Sequence, residues 1–242
     1  MKGVQVIIFD LDDTLTDNKI LDFESFRHLS LSLALYTPTM NEIIELRCGS
    51  LLAEDIVHWM IEKSRKSVPQ ILCMKKRKEF LRREGNGLLI KIKPRVRSTL
   101  SELKSMGYIL LVATVRNDKK AVLGLLRKHK LAGFFADVYT SRSEVRDKLA
   151  EMSGSGVEKA KFKIYQKILR DLKVLPSECL AVGNTLQDLL PALNLGMKVV
   201  GTKGSYRTDP ALRDSVEIVE DLSDLVKLLQ LNCYGGKHSC VF

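Results

Sequence analysis

Val4-Gln5-Val6-Ile7-Ile8-Phe9 is a short, nearly continuous apolar run rich in β-branched residues, and it stops at Asp10. A run of that length and composition suits a strand covered on both faces, as in a parallel sheet between layers of helix. Residues 108–115 repeat the pattern, and shorter versions follow at 136–139, 179–182, 197–200 and 217–219. Helical stripes lie between them. Val96, Leu100 and Leu103 follow Lys93-Pro94-Arg95, with Pro placed in the first turn and Gly107 closing the helix. Further stripes are Val122/Leu125/Leu126, Phe162/Tyr165/Ile168/Leu169/Leu172, residues 191–195, and Leu222/Leu225/Val226/Leu229. Met152-Ser153-Gly154-Ser155-Gly156 reads as a loop. Strands alternating with helices predict an α/β fold with a mainly parallel sheet.

One region breaks the alternation. Residues 17–92 read as wholly helical, with apolar stripes at Phe23/Phe26/Leu29, Ile43/Ile44, Ile56/Met60/Ile61 and Ile71/Leu72/Met74. That is far longer than the dozen or so residues a parallel crossover requires. It is expected to be an inserted all-helical subdomain, with residues 1–16 and 93–231 forming the core. Residues 232–242, containing Gly235-Gly236, read as a flexible tail.

Composition narrows the function. The 242 residues carry a formal net charge of +10, which favours anionic partners: phosphorylated metabolites, or nucleic acid without sequence preference. The densest basic run, Lys75-Lys76-Arg77-Lys78 with Arg82-Arg83, reads first as the solvated face of a helix, so nucleic acid is not the expected partner. No apolar run approaches the roughly 18 residues that cross a bilayer. The five cysteines are scattered without a Cys-x-x-Cys pair, which argues against a zinc site or disulfide framework and for a reducing, cytoplasmic setting. The final Ser-Cys-Val-Phe has Ser239 where a prenylation box requires Cys. Neither 201–205 nor 235–237 has Walker spacing, and no Gly-x-Ser-x-Gly elbow is present. Oligomeric state is not encoded in any of these features.

Ligands of open α/β sheets bind beyond the carboxyl ends of the strands, so the strand ends carry the chemistry. The first ends Asp10-Leu11-Asp12-Asp13-Thr14. Asp10 and Asp12 project to the same side of an extended chain, with Asp13 turned away. Carboxylates that close repel unless a cation or shared proton relieves them, and magnesium prefers such hard oxygen ligands. One carboxylate can attack phosphorus while the other moves the proton of the leaving alcohol and then of water. The second strand ends in Thr114, whose hydroxyl can donate to a phosphoryl oxygen. A lysine cluster, Lys159, Lys161 and Lys163, precedes the next apolar stripe and offers a charge clamp. The fourth strand ends Gly183-Asn184-Thr185-Leu186-Gln187-Asp188, where an amide and a carboxylate could complete a metal shell, although Asp188 also reads as a helix N-cap.

With these four elements in order, the chain resembles the haloacid dehalogenase-like hydrolase superfamily, in its branch similar to phosphoglycolate phosphatases. The resemblance implies a Rossmann-like core and a helical cap over residues 17–92 that closes over substrate. It implies Asp10 as nucleophile, Asp12 as general acid and base, Thr114 as phosphate-holding hydroxyl, and a lysine as clamp. It implies Mg2+ held by Asp10, the backbone carbonyl of Asp12, and Asp188, with Asn184 beside them. The activity implied is hydrolysis of a small phosphate monoester through an aspartyl-phosphate. A phosphosugar mutase would keep both aspartates, and a weakly catalytic binding protein is a further alternative.

Three departures from the family pattern stand out. Asn184 replaces the usual aspartate, removing one negative charge from the metal shell, so weaker magnesium binding is expected. Val115-Arg116-Asn117 follows Thr114 in place of a commoner asparagine-containing turn, making Arg116 a candidate phosphate contact alongside Thr14 and Thr114. No proline follows the lysines, which favours Lys161, then Lys159, with Lys163 third. In the helical insert, Arg47-Cys48-Gly49-Ser50 lies between two helices. Arg47 is the candidate there for an anionic substrate group, while Trp59 is read as core.

Overall fold

A computed structural model of the chain describes residues 3–48, 51–83, 85–141, 154–213 and 215–234. In chain order the elements are β1 (Val6–Phe9), β2 (Thr16–Asp17), α1 (Lys19–Leu33), α2 (Met40–Cys48), α3 (Ala53–Ser64), α4 (Gln70–Arg82), β3 (Lys91–Ile92), α5 (Val96–Ser105) and β4 (Ile109–Thr114). They continue with α6 (Lys119–Lys128), β5 (Asp137–Thr140), α7 (Gly154–Leu172), β6 (Cys179–Gly183), α8 (Leu186–Asn194), β7 (Lys198–Thr202), α9 (Pro210–Arg213), β8 (Ile218–Val219) and α10 (Asp224–Tyr234). The chain divides into two compact units: Met1–Thr16 with Ile92–Gly204 and Thr208–Phe242, and Asp17–Lys91 with Ser205–Arg207.

The first unit is built on a six-stranded sheet ordered β5-β4-β1-β6-β7-β8, with every neighbouring pair parallel. β1 lies inside the sheet, flanked by β4 and β6, with Phe9 level with both Val112 and Val182. The chain builds outward from β1 to β4 and β5, then returns to its other side for β6, β7 and β8. That reversal makes the carboxyl end of β1 a topological switch point, where open α/β sheets take their ligands. Val6, Ile7, Ile8 and Phe9 are fully buried, so each contributes about 1.5–3 kcal/mol of apolar burial.

Side chains alternate across the sheet. Val6 and Ile8 of β1, Leu111 and Ala113 of β4, and Cys179 and Ala181 of β6 join one core with Ile164, Tyr165 and Ile168 of α7 and Leu189 and Ala192 of α8. Asp10 follows the parity of Val6 and Ile8, so its carboxylate emerges on the side covered by α7.

The second unit has its own core of Phe26, Leu29, Leu35, Ile43, Ile56, Val57, Met60 and Cys73, with Trp59 packed against it. Trp59 meets Tyr36 edge-on at 5.4 Å between ring centroids.

Several local expectations differ from what is found. α5 begins at Val96, after Pro94, because Arg95 takes a left-handed φ of 59° in place of the first helical turn. α4 exposes Ile71 (81%) and Leu72 (38%) and turns Cys73 and Arg77 inward, so its buried stripe is not the apolar one expected. Gly154 to Gly156 belong to α7 and not to a loop, with Met152 and Ser153 outside the described residues. α10 runs through Tyr234 into the stretch read as tail, whose residues 235–242 lie outside the described residues, as do Gly49 and Ser50. Among the described residues no helix is long and apolar enough to cross a membrane. Cys48, Cys73 and Cys179 are free thiols.

Candidate active site

Asp10 leaves the end of β1 with its backbone N–H donating to the Val182 carbonyl of β6 at 2.8 Å. The chain then turns tightly. Leu15 and Thr16 N–H groups both donate to the Leu11 carbonyl at 3.1 Å, and the Thr16 hydroxyl donates to the same oxygen. Asp13 takes φ 59°, a left-handed conformation that aspartate tolerates better than most residues. This turn holds Asp10, Asp12 and Thr14 at the carboxyl edge of the sheet.

Lys161 enters from α7. It shares a helical face with Ile164, Tyr165 and Ile168, all fully buried, whereas Lys159 and Lys163 point to solvent. Its ammonium meets three acceptors: Asp10 Oδ1 at 2.6 Å, the Ala113 carbonyl at 2.8 Å and Asp188 Oδ1 at 3.1 Å. An ammonium has three donors, and all three are satisfied in a fully buried position. Burial works against the charged lysine, but the Asp10 and Asp188 carboxylates outweigh it and hold the ammonium protonated. For Asp10 the balance reverses. Burial first, then the neighbouring Asp188 charge, push its carboxyl up to about 7 against the pull of Lys161.

Asp188 sits in the first turn of α8. Its Oδ2 accepts from the Thr185 hydroxyl at 2.6 Å, and its backbone carbonyl accepts from the buried Tyr165 hydroxyl at 3.0 Å. Thr185, not Asp188, occupies the N-cap position. Asp209 seats the same turn by accepting from the Leu186 N–H at 3.1 Å. Thr185, Tyr165 and Asp209 were missed by sequence reasoning. Thr185-Leu-Gln-Asp188 is the Ser/Thr-x-x-Asp/Glu spacing that marks a helix start, and Tyr165 lies one turn beyond Lys161 on the same stripe. Those two carried a readable signal.

Gly183 is required by close approach. A Cβ there would lie 2.8 Å from Asp188 Cβ and 3.2 Å from Leu189 Cδ2. The Asp188 Cβ is the root of its side chain and cannot swing away, so Gly183→Ala is expected to displace the carboxylate from Lys161. The measurable outcome is a fall of about tenfold or more in whatever turnover this site supports, with the fold retained by circular dichroism.

The remaining candidates fall into place as follows. Thr14 is fully buried and donates to Asn184 Oδ1 at 3.0 Å. Thr114 is fully buried at the end of β4, and its Oγ1 accepts from the Arg116 N–H at 3.2 Å. Arg116 grips Asp12 with both arms, Nε to Oδ2 at 2.8 Å and Nη2 to Oδ1 at 2.6 Å. Arg47 lies in the helical unit, where its Nε and Nη2 hold Asp22 at 2.8 and 2.9 Å and its Nη1 donates to the Leu51 carbonyl at 3.1 Å. Arg77 and the Tyr206 hydroxyl bind the same Asp22. Burial raises the Asp22 carboxyl pKa, but its hydrogen bonds from Arg47 and the charges of both arginines carry it below its ordinary value.

Among the described residues no group of three or more His, Cys, Asp or Glu side chains forms a metal-ligand cluster. Two strand-end carboxylates, Asp10 and Asp188, converge on one ammonium, while the Asp12 carboxylate is held by Arg116 and the Asn184 amide oxygen by the Thr14 hydroxyl.

Comparison with known proteins places the chain in a family. A glyceraldehyde 3-phosphate phosphatase of Pyrococcus furiosus is 28% identical over 246 residues, covering 95% of each chain. A phosphoglycolate phosphatase of Mannheimia succiniciproducens is 27% identical over 237 residues, covering 93% of this chain and 98% of that one. The crystal structure of a predicted phosphoglycolate phosphatase from Haemophilus somnus superposes with a TM-score of 0.71 at 22% identity, covering 95% of this chain and 100% of the other. The family model described as haloacid dehalogenase-like hydrolase matches residues 7–202, a span that holds every strand-end residue above. The chain belongs to the haloacid dehalogenase-like hydrolases and is similar along nearly its whole length to a phosphoglycolate phosphatase.

Proposed function

We propose that this hydrolase releases phosphate from a small phosphate monoester, with Asp10 as the nucleophile and an aspartyl-phosphate as the intermediate. The observation that supports this most is the buried Lys161 ammonium bridging Asp10 and Asp188 at the switch point of the sheet. Two phosphatases similar along nearly the whole chain support the reaction class.

Lys161 fixes the orientation of the Asp10 carboxylate and offsets the charge that a phosphoryl group brings beside it. Thr114 offers its hydroxyl to a phosphoryl oxygen. In the first half of the reaction an Asp10 oxygen forms a bond to phosphorus as the bond from phosphorus to the leaving oxygen breaks. Asp12 gives that oxygen its proton. In the second half water bonds to phosphorus, Asp12 takes the water proton, and the Asp10–phosphorus bond breaks to restore the carboxylate.

A magnesium ion fits the donor chemistry. Asp10 and Asp188 place two buried carboxylates around one point with a single ammonium between them, and burial first, then the Asp188 charge, push the Asp10 carboxyl upward. Asp10, Asp188, the Asp12 backbone carbonyl and the Asn184 amide would hold the ion, all hard oxygen donors, with water completing its shell. When bound it would neutralise charge on the transferring phosphoryl group. Asn184 accepts from Thr14 through the oxygen it would offer to the metal.

Phosphate release from a panel of phosphorylated metabolites, titrated with magnesium, tests this reading. Activity is expected to require the ion and to vanish with chelator. Asn184→Asp is expected to lower the half-saturating magnesium concentration by about tenfold, the scale of one added charge–charge contact. Absence of release from every ester with magnesium present overturns the reading, and an unchanged half-saturation overturns the role given to Asn184.

A further inference from the structure

Arg116 and Asp12 stand 104 positions apart, on the turns that follow two neighbouring strands, β4 and β1. Both guanidinium arms are engaged on the two carboxylate oxygens, a planar fork on a planar acceptor. The turn that carries Arg116 is itself held. The Ser141 hydroxyl donates to the Val115 carbonyl at 2.8 Å, and the Ser141 N–H donates to the Arg116 carbonyl at 3.2 Å. Ser141 is buried, just beyond β5. The Arg116 N–H donates to Thr114 Oγ1 at 3.2 Å. Three adjacent strand ends, β5, β4 and β1, are therefore laced together, and the lacing terminates on the Asp12 carboxylate. Asp12 is only partly buried, with a side chain 34% exposed, so packing alone does not fix its rotamer.

We infer that Arg116 is a positioning residue, whose fork fixes the Asp12 carboxylate toward the leaving-group oxygen while Ser141 fixes Arg116. This rests on the proton-transfer role proposed above for Asp12. Arg116 acts through Asp12 and not on the transferring phosphoryl group. Its removal therefore harms esters in proportion to their need for a proton on the leaving oxygen. An alkyl phosphate needs that proton, and p-nitrophenyl phosphate, whose phenolate leaves unaided, needs it little.

The test compares glycerol 1-phosphate with p-nitrophenyl phosphate in wild type, Arg116→Met, Arg116→Lys and Ser141→Ala, with magnesium present and melting temperature recorded. Arg116→Met is expected to lose at least about tenfold more kcat on the alkyl ester than on the aryl ester, with KM moving less than kcat. Arg116→Lys keeps the charge without the fork and is expected to recover only part of the difference. Ser141→Ala is expected to show the same selectivity at smaller amplitude, and it carries the test together with the lysine variant should the methionine variant not fold. Equal losses on the two esters, or a loss confined to KM, overturn the inference, since both mark a direct phosphate contact. No loss on either ester overturns it as well. Wild type inert on these two esters and on every ester of the metabolite panel overturns the phosphatase reading itself, whereas an active wild type with unselective variants overturns only the role of Arg116.

Discussion

Replacing Lys161 with methionine is expected to unfold much of what the active site depends on, not merely to slow it. The side chain is fully buried and answers two carboxylates that are themselves nearly buried. Methionine preserves length and apolar volume but removes all three hydrogen bonds. It leaves Asp10 and Asp188 facing each other without a counter-ion. Breaking a buried ion pair from one side costs about 3–5 kcal/mol, which for a chain of this size lowers the melting temperature on the order of 10 °C. Turnover is expected to fall at least about 100-fold, the usual effect of removing one group that stabilises transition-state charge. Magnesium is expected to restore part of the melting temperature and little of the turnover. Thermal denaturation with and without the ion, alongside phosphate release, checks both. Wild-type stability in the variant would show that the three contacts are not structural.

Asp10→Asn breaks the same ion pair from the other side, and the expected outcome for stability is the opposite. The amide keeps shape and can still accept from Lys161, while the repulsion with Asp188 disappears. Burial and that repulsion push the Asp10 carboxyl up to about 7. A carboxyl whose folded pKa lies above its unfolded value destabilises the fold as pH rises through that interval, and asparagine removes this cost. The melting temperature at neutral pH is therefore expected to hold or rise. Turnover is expected to fall on the order of 10⁴-fold or more, because no nucleophile remains. A variant that melts early as Lys161→Met does, or that keeps its turnover, contradicts the account. Together the two substitutions separate electrostatic support from chemistry: one loses both stability and rate, the other rate alone.

Much of this was legible in the sequence, for particular reasons. The strands could be read because β1, β4 and β6 are buried on both faces, and double burial leaves an unbroken apolar run. The carboxylates could be read because strand ends are where α/β folds place ligands, and Asp10, Thr114, Asn184 and Asp188 fall there in order. The absence of prolines after the lysines favours Lys161 without excluding Lys159 or Lys163, and the choice among them rests on the structure, where Lys161 falls on the buried stripe of Tyr165 and Ile168.

Other features resisted reading because they depend on pairings between residues remote in the chain. Arg47 looked like a group awaiting an anion, yet Asp22, 25 positions earlier, takes two of its arms. Arg77 looked like one cation in a solvated run, yet it turns inward to that same carboxylate and lies over the Phe26 ring, 4.5 Å from its centroid. This is why α4 exposes Ile71 and buries a charge, against the rule of its own local pattern. Arg116 gave no local sign that it would meet Asp12.

Borohydride trapping during turnover reaches the central claim most directly. Hydride reduces an acyl phosphate to an alcohol, so an aspartyl-phosphate at residue 10 becomes homoserine, a change that peptide mass spectrometry assigns to its position. Homoserine at position 10, formed only when substrate and magnesium are both present, is the predicted result. Sustained phosphate release with an unmodified Asp10, or with the modification at another carboxylate, would contradict the assignment of Asp10 as nucleophile.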